Sequence, residues 1–236
     1  AVSPADHYDL TGAPGQPFIP LTVAFTNPSA GDYTDSLWTF GDGYTSTLSS
    51  PDHAYTDPGV YTVVVTVFDD YGHTTTEQYQ FAVVYDPDGG FVTGGGWIDS
   101  PAGACQLSEA CTGAAGSANF GFVSKYKKGA DVPTGSTEFQ FKAGGLNFHS
   151  TEYQWLVIAG ANAKYKGEGS INGEGPYNFM LTATDGDLLG GGKADEFRIK
   201  IFDGGGVLYD NKSDLADVRF YTPSGVLESE GKMRGK

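Results

Sequence analysis

The chain has 236 residues, 39% of them hydrophobic, with 35 Gly and a formal net charge of −15. That length suits two domains of about 100–130 residues, and the acidic balance excludes nucleic acid and anionic membrane surfaces as partners, because phosphate binding needs a basic surface. No stretch approaches the roughly 18 apolar residues of a membrane span, so membrane insertion is not expected.

The chain begins Ala1-Val2 with no initiator Met, as expected of a mature chain after signal removal or of a module from a longer protein. Ala1–Pro17 reads as a leading arm plus a first edge strand. The most informative run follows: Trp38-Thr39-Phe40-Gly41-Asp42-Gly43, then Ser50-Pro51-Asp52-His53-Ala54-Tyr55, then Pro58-Gly59-Val60-Tyr61 and a valine-rich stretch to Val67. Tyr61, Val63, Val65 and Val67 alternate with Thr62, Val64, Thr66 and Phe68, which predicts a strand. Gly41-Asp42-Gly43 predicts a turn, and Pro58-Gly59 a second turn just before the strand. Trp38 and Phe40 share a face and are expected to fill a core. His53 reads as a hydrogen-bonded structural histidine, with a metal or catalytic role as the alternative.

These motifs resemble the signature of PKD domains, immunoglobulin-like β-sandwiches strung along extracellular proteins; Thr39 stands where the family usually has Asp. The resemblance covers about residues 10–86 and implies a domain that spaces, stiffens or binds rather than an enzyme. Some PKD-like domains bind calcium at one end of the sandwich. Asp42, Asp69 and Asp70 are the candidate ligands here, since hard divalent cations take carboxylate oxygens. Asp69-Asp70 equally suits the polar half of a turn through Tyr71-Gly72.

Thr74–Tyr85 is predicted as the last strand of the first domain, and Asp86–Gly90 as a short linker. The expected division is a first domain over 1–87, a second over 88–221 and a tail over 222–236. Up to Ser124 the chain has 12 Asp, 2 Glu and no Lys or Arg; from Lys125 onward it has 14 basic and 15 acidic residues. Such a break marks two differently built modules. The acidic half either binds a cation or presents a solvated acidic face.

In the second domain, strands are predicted from Phe91, then at 117–126, 137–143, 146–150, 152–159, 161–171, 177–185, 196–202 and 207–211. Even spacing with Gly-rich turns suggests a second antiparallel β-sandwich or a small barrel, so the whole chain is expected to be all-β. Cys105 and Cys111 have no further soft ligands nearby, so a local disulfide is expected over a metal site, in an oxidising extracellular setting. Thr93–Ile98, Phe120–Gly129, Phe139–Ser150 and Phe197–Asp203 resemble the post-COAP type module found near the C-termini of secreted or surface prokaryotic proteins. That resemblance covers about residues 91–211 and implies location and architecture, with no catalytic residues to carry over.

Asp185-Gly186-Asp187, followed by Gly190–Gly192, Asp195 and Asp203, is the strongest metal-like cluster of this half, against a plain Gly-rich hairpin loop. Trp97, Trp155, Tyr126, Tyr153 and Tyr165 are candidates for an aromatic sugar platform, although strand aromatics more often fill a core. Tyr153, Trp155 and Val157 are expected to share a face. No G-x-S-x-G, H-E-x-x-H or Cys-His arrangement occurs, and Glu138, Glu152, Glu168 and Glu174 lie in ordinary strand or turn contexts. The expected function is therefore a non-catalytic extracellular or cell-surface structural or adhesive protein, associating with copies of itself or other surface proteins through edge strands, with calcium as the candidate cofactor. The alternative is a carbohydrate-binding module of a secreted polysaccharide-processing protein, with Trp97, Tyr126 and Tyr165 as its contacts.

Overall fold

The computed structural model describes residues 7–9, 21–27, 29, 31–85, 90–127, 130, 132–188, 194–211 and 219–220. Most of the expected arm, the linker residues 86–89, Gly190–Gly192 and the 222–236 tail lie outside them. The chain divides into two compact units, Ala1–Asp86 and Pro87–Lys236.

The first unit is a two-layer sandwich. One layer has the order β1 (His7–Asp9), β7 (Thr74–Tyr85), β6 (Gly59–Phe68), β3 (Asp35–Thr39), β4 (Thr45–Ser46); the other pairs β2 (Leu21–Ala24) with β5 (Asp52–Tyr55). Between them pack Val23, Phe25, Trp38, Phe40, Tyr55, Val63, Val65, Ala82 and Val84. Trp38 and Phe40 are 0% and 1% exposed, so the alternation read from the sequence is the alternation that builds the core. The buried Tyr55 hydroxyl donates to the Phe40 carbonyl at 3.1 Å, which ties the two layers together. Gly41 has φ +84°, and a Cβ there would sit 2.7 Å from the Thr62 carbonyl oxygen. Only glycine combines that conformation with that approach.

The second unit is one curled antiparallel sheet. Its strands are β8 (Phe91–Ser100), β9 (Gly116–Lys125), β10 (Thr134–Phe141), β11 (Leu146–Ala159), β12 (Asn162–Ile171), β13 (Glu174–Thr184), β14 (Glu196–Asp203), β15 (Gly206–Asp210) and β16 (Arg219–Phe220). They run in the spatial order β15-β14-β13-β12-β11-β10-β9-β8-β16. The curl brings Phe120 of β9 onto Phe197 of β14, stacked at 3.7 Å, although four strands separate them in the sheet. Phe139 of β10 meets Tyr209 of β15 at 4.7 Å. The segment after β8 completes the closure. Gln106 N–H donates to Leu208 C=O at 2.7 Å, Asp210 N–H donates to Ala104 C=O at 2.9 Å, and Cys105 bridges to Tyr209. Buried, the Tyr209 hydroxyl donates to Ser100 Oγ at 2.9 Å.

Cys105 and Cys111 form the expected disulfide. It closes over a one-turn helix α1 (Glu109–Thr112), capped by the Ser108 side chain accepting from Cys111 N–H. The two strands expected at 146–150 and 152–159 are one strand with register shifts at Ser150/Glu152 and Tyr153/Trp155. The second shift overturns the expected common face of Tyr153, Trp155 and Val157. Tyr153 opposes Gly167 and Leu156 opposes Tyr165, both on the interior side, while Trp155 and Val157 oppose Lys166 and Lys164 on the other side. An extra residue in one strand inverts the alternation beyond it. Gly167 sits opposite this irregularity, where a Cβ would collide with the Glu152 carbonyl oxygen.

Because the Cys105–Cys111 ring holds the closing segment against β15, reducing it is expected to cost the second unit about 2 kcal/mol, the loop-entropy value for so short a ring. Scanning calorimetry with and without reductant should show the second unit's transition fall and the first unit's stay in place.

Candidate functional site

In the first unit the Gly41-Asp42-Gly43 turn and β5 meet at one end of the sandwich. Asp42 Oδ1 accepts from the Tyr44 N–H at 3.1 Å, and Asp42 Oδ2 lies 2.6 Å from His53 Nε2. The His53 ring stacks on Phe40 at 4.0 Å and takes Tyr55 edge-on at 4.7 Å. Both oxygens of Asp42 are thus engaged, and the histidine is clamped on two ring sides. This is the hydrogen-bonded histidine of the sequence reading, and Asp42 anchors the turn. The pairing of the two motifs was not anticipated, although both residues stood out singly.

Asp69 closes the β6–β7 turn. Its Oδ1 accepts from the N–H groups of Tyr71 and His73, each at 2.8 Å, and its Oδ2 lies 2.8 Å from His73 Nδ1. The His73 hydrogen bond, followed by the backbone donors, holds its carboxyl below the usual carboxylate range. Asp70 is exposed on the same turn. Asp69 and His73, with Asp32, Tyr33 and Glu77, line an open cleft of about 470 Å³. Asp32 and Glu77 were missed in the sequence because each is a single acid in a polar stretch. The turn reading of Asp69-Asp70 is the one the hydrogen bonds favour, and Asp42 does not line this cleft with Asp69.

In the second unit Asp185, Asp187 and Asp195 meet where β13 ends and β14 begins. The Gly186 N–H donates to Asp195 Oδ1 at 2.6 Å and the Asp187 N–H to Asp185 Oδ1 at 3.0 Å. Burial, then the charges of Asp185 and Asp187, push the Asp195 carboxyl up, against the Gly186 hydrogen bond. Asp203 stands apart, its Oδ1 accepting from Gly205 and Gly206 in the β14–β15 turn. Among the described residues no three His, Cys, Asp or Glu side chains are already spaced as a metal cluster.

Of the aromatic candidates, Tyr165 and Tyr126 are committed elsewhere. Tyr165 is 0% exposed, and its hydroxyl shares Thr137 Oγ1 with Tyr153 at 2.8 Å each, so it has no face to offer a sugar. Burial pushes the Tyr165 hydroxyl well above its ordinary value. The Tyr126 hydroxyl accepts from Leu156 N–H at 2.9 Å and lies 3.2 Å from Leu156 C=O, which makes it a strand clamp. Trp155 is 4% exposed, and Trp97 is half-buried on β8.

Replacing Asp42 by Ala removes the acceptor of Tyr44 N–H and the partner of His53 at once. The expected cost is about 2 kcal/mol, in the range for a hydrogen bond to a charged group. Urea unfolding of the variant checks it; an unchanged midpoint would make the pair incidental.

No helix among the described residues is long and apolar enough to cross a membrane. Residues 7–84 match the family described as PKD domain. The same part of the chain is similar to collagenase ColA of Bacillus cereus, 44% identical over 62 residues, which is 26% of this chain and 6% of that protein. It is also similar to the pre-pro-metalloprotease PrtV of Vibrio cholerae serotype O1, 41% identical over 66 residues, 27% of this chain and 7% of that protein. The chain thus spans only a small fraction of these relatives. A solved carbohydrate-binding module of the β-sandwich superfamily aligns over 94% of this chain and 85% of its own at 16% identity, with a TM-score of 0.28, too low to assign a shared fold. None of the sequence matches reaches the second unit. Residues 7–84, with the Trp38–Gly43 turn, the His53 pairing and the Val63–Val65 core, are a PKD domain.

Proposed function

We propose that this chain is a non-catalytic spacing and adhesive part of an extracellular protein, which associates through exposed strand edges with copies of itself or with other surface proteins. One observation carries the reading. β7 is twelve residues long, pairs with β6 on one side, and on the other meets β1 only at Val83, Val84 and Tyr85. Among the described residues, the outer backbone edge from Thr74 to Ala82 has no strand beside it, and its side chains through Gln78 are exposed. An open edge of that length is a template for a further strand.

Other features support it. At the opposite edge of the same sheet, β4 is flanked by Tyr44 and Leu48, 68% and 65% exposed. An edge-to-edge contact of β7 with β4 of the next copy is heterologous and extends without closing. Among the described residues, β8 has β16 beside it at Gly96 and Trp97 alone. The first 124 residues are acidic and all the Lys and Arg lie in the nearly neutral remainder, so single cations there can meet the acidic part of the next copy in head-to-tail contacts. The PKD domain supports the extracellular placement, since the matched relatives are a collagenase and a pre-pro-metalloprotease. Polysaccharide binding finds no comparable support, because Tyr165 and Tyr126 are committed to the interior and to the backbone.

Light scattering on a size-exclusion column, over a concentration series in chelator, tests the proposal. Oligomers or filaments are expected, weakening in high salt, and Thr74→Lys with Gln78→Lys should return the chain to monomer. A monomer at every concentration contradicts the proposal, and glycan-array binding by that monomer would replace it.

A further inference from the structure

The outer face of the second unit's sheet gathers cations in a chain whose net charge is −15. Tyr165, Leu181 and Ile199 belong to the closed interior. Their neighbours along β12, β13 and β14 therefore face outward, since side chains alternate across a strand. On that side Lys164 pairs in register with Thr182 and Thr182 with Arg198, while Lys166 pairs with Met180 and Met180 with Lys200. With strands about 4.8 Å apart and a rise of about 3.4 Å per residue, the four cations form a block of about 7 by 10 Å. All four are half-buried, and Trp155 and Val157 of β11 extend the two rows.

Acids on this face stand at the margin of the block. Asp210 holds Arg198 through bonds of 2.9 and 2.7 Å. Glu168 lies two residues beyond Lys166, and Glu196 two residues before Arg198. Thr182 and Met180, both neutral, separate the cations across β13. Burial, followed by the charge of Arg198, pulls the Lys164 ammonium below its ordinary value. Burial does the same to Lys166, against the charge of Glu168. A lysine held back in this way gains from an incoming carboxylate, which favours its charged form. Lys200 Nζ lies 5.8 Å from the centre of the Phe202 ring, so the block borders apolar surface as well.

The first unit has the matching chemistry. Residues 1–86 hold ten Asp, one Glu and no Lys or Arg. Where β6 turns into β7, Asp32, Asp35 and Asp70 are exposed, and Tyr71 is 88% exposed beside Asp70. Asp35 is in register with Phe68, the last residue of β6, and Asp32 lines the same cleft as Phe68 and Asp69. Carboxylates near an uncovered aromatic ring suit lysines around Met180, because the ring face attracts a cation and the ring body covers apolar surface. We propose that the block of Lys164, Lys166, Arg198 and Lys200 docks the Tyr71 end of the first unit of a second copy. The inference rests on the reading that copies associate, and it adds to the strand edges a contact between unlike units. Such a contact is heterologous and leaves each copy's other half for the next.

Charge exchange on the full chain tests it, read by light scattering over a concentration series in chelator. Lys166→Glu with Lys200→Glu, and separately Asp32→Lys with Asp70→Lys, should each weaken association at least tenfold. Asp32 and Asp70 are exposed and the two lysines partly so, and circular dichroism checks that both variants keep the parent's strands. An equimolar mixture of the two variants should restore association, because the acidic block of one then meets the basic end of the other. Neither variant alters the β7 edge, so strand-edge pairing by itself predicts that both associate as the parent does. That result overturns this contact and leaves the edge reading standing. Loss in both variants without recovery on mixing also overturns it. A parent chain that stays monomeric throughout overturns both.

Discussion

The second unit depends on one closure. A sheet of nine strands in a single layer has a whole apolar face to bury and no second sheet to cover it. It solves this by curling until Phe120 stacks on Phe197 and Phe139 meets Tyr209, so the two halves of one face become each other's cover. The segment Ala104–Gln106 then pairs along β15 and fixes the curl, with Tyr209 bonded to Ser100 at the seam. Without that seam β15 would be an open edge over an aromatic interior. The disulfide, the Ser108 cap and the short helix all serve to hold the segment in place.

Closure decides where chemistry can occur. The interior is filled with ring contacts, and a polar hub within it, Thr137 with the hydroxyls of Tyr153 and Tyr165, is satisfied internally. Of the aromatic side chains that suggested a sugar platform, Tyr153 and Tyr165 are spent on packing and Tyr126 on clamping the backbone. What remains is the rim, where Asp185 and Asp195 sit at strand ends, and the sheet edges. The first unit follows the same logic with two layers. Its motif residues Asp42 and His53 bind each other and the Phe40 ring, while the cleft by Asp69 is open.

Much of this was legible in the sequence. The run from Tyr61 to Val67 alternates cleanly, and Val63 and Val65 are buried as that period requires. Trp38 and Phe40 could be placed in the core from spacing alone, and two cysteines with five residues between them predict a local ring. The exceptions have physical causes. Trp155 changed face because of a register shift, which no period-two reading detects. Tyr165 lies opposite Leu156 and Leu181 and packs its ring against Phe122, Tyr153 and Phe179 inside the curl, which composition does not reveal. The Asp42–His53 bond joins residues eleven apart across a turn, and Asp69 is consumed by its own turn amides, which a count of carboxylates cannot show. Closure itself rests on pairing between a loop and a strand about a hundred residues apart, for which the sequence carries no local signal.

The central claim is that the second unit is a closed body whose seam is as firm as its strands. Native-state hydrogen exchange at the amides of Gln106 and Asp210 tests it most directly. The account predicts that both exchange only with global unfolding of the unit, alongside the amides of β9 and β14. Exchange through local opening at these two positions, while β9 and β14 stay protected, would contradict it and leave β15 an open edge.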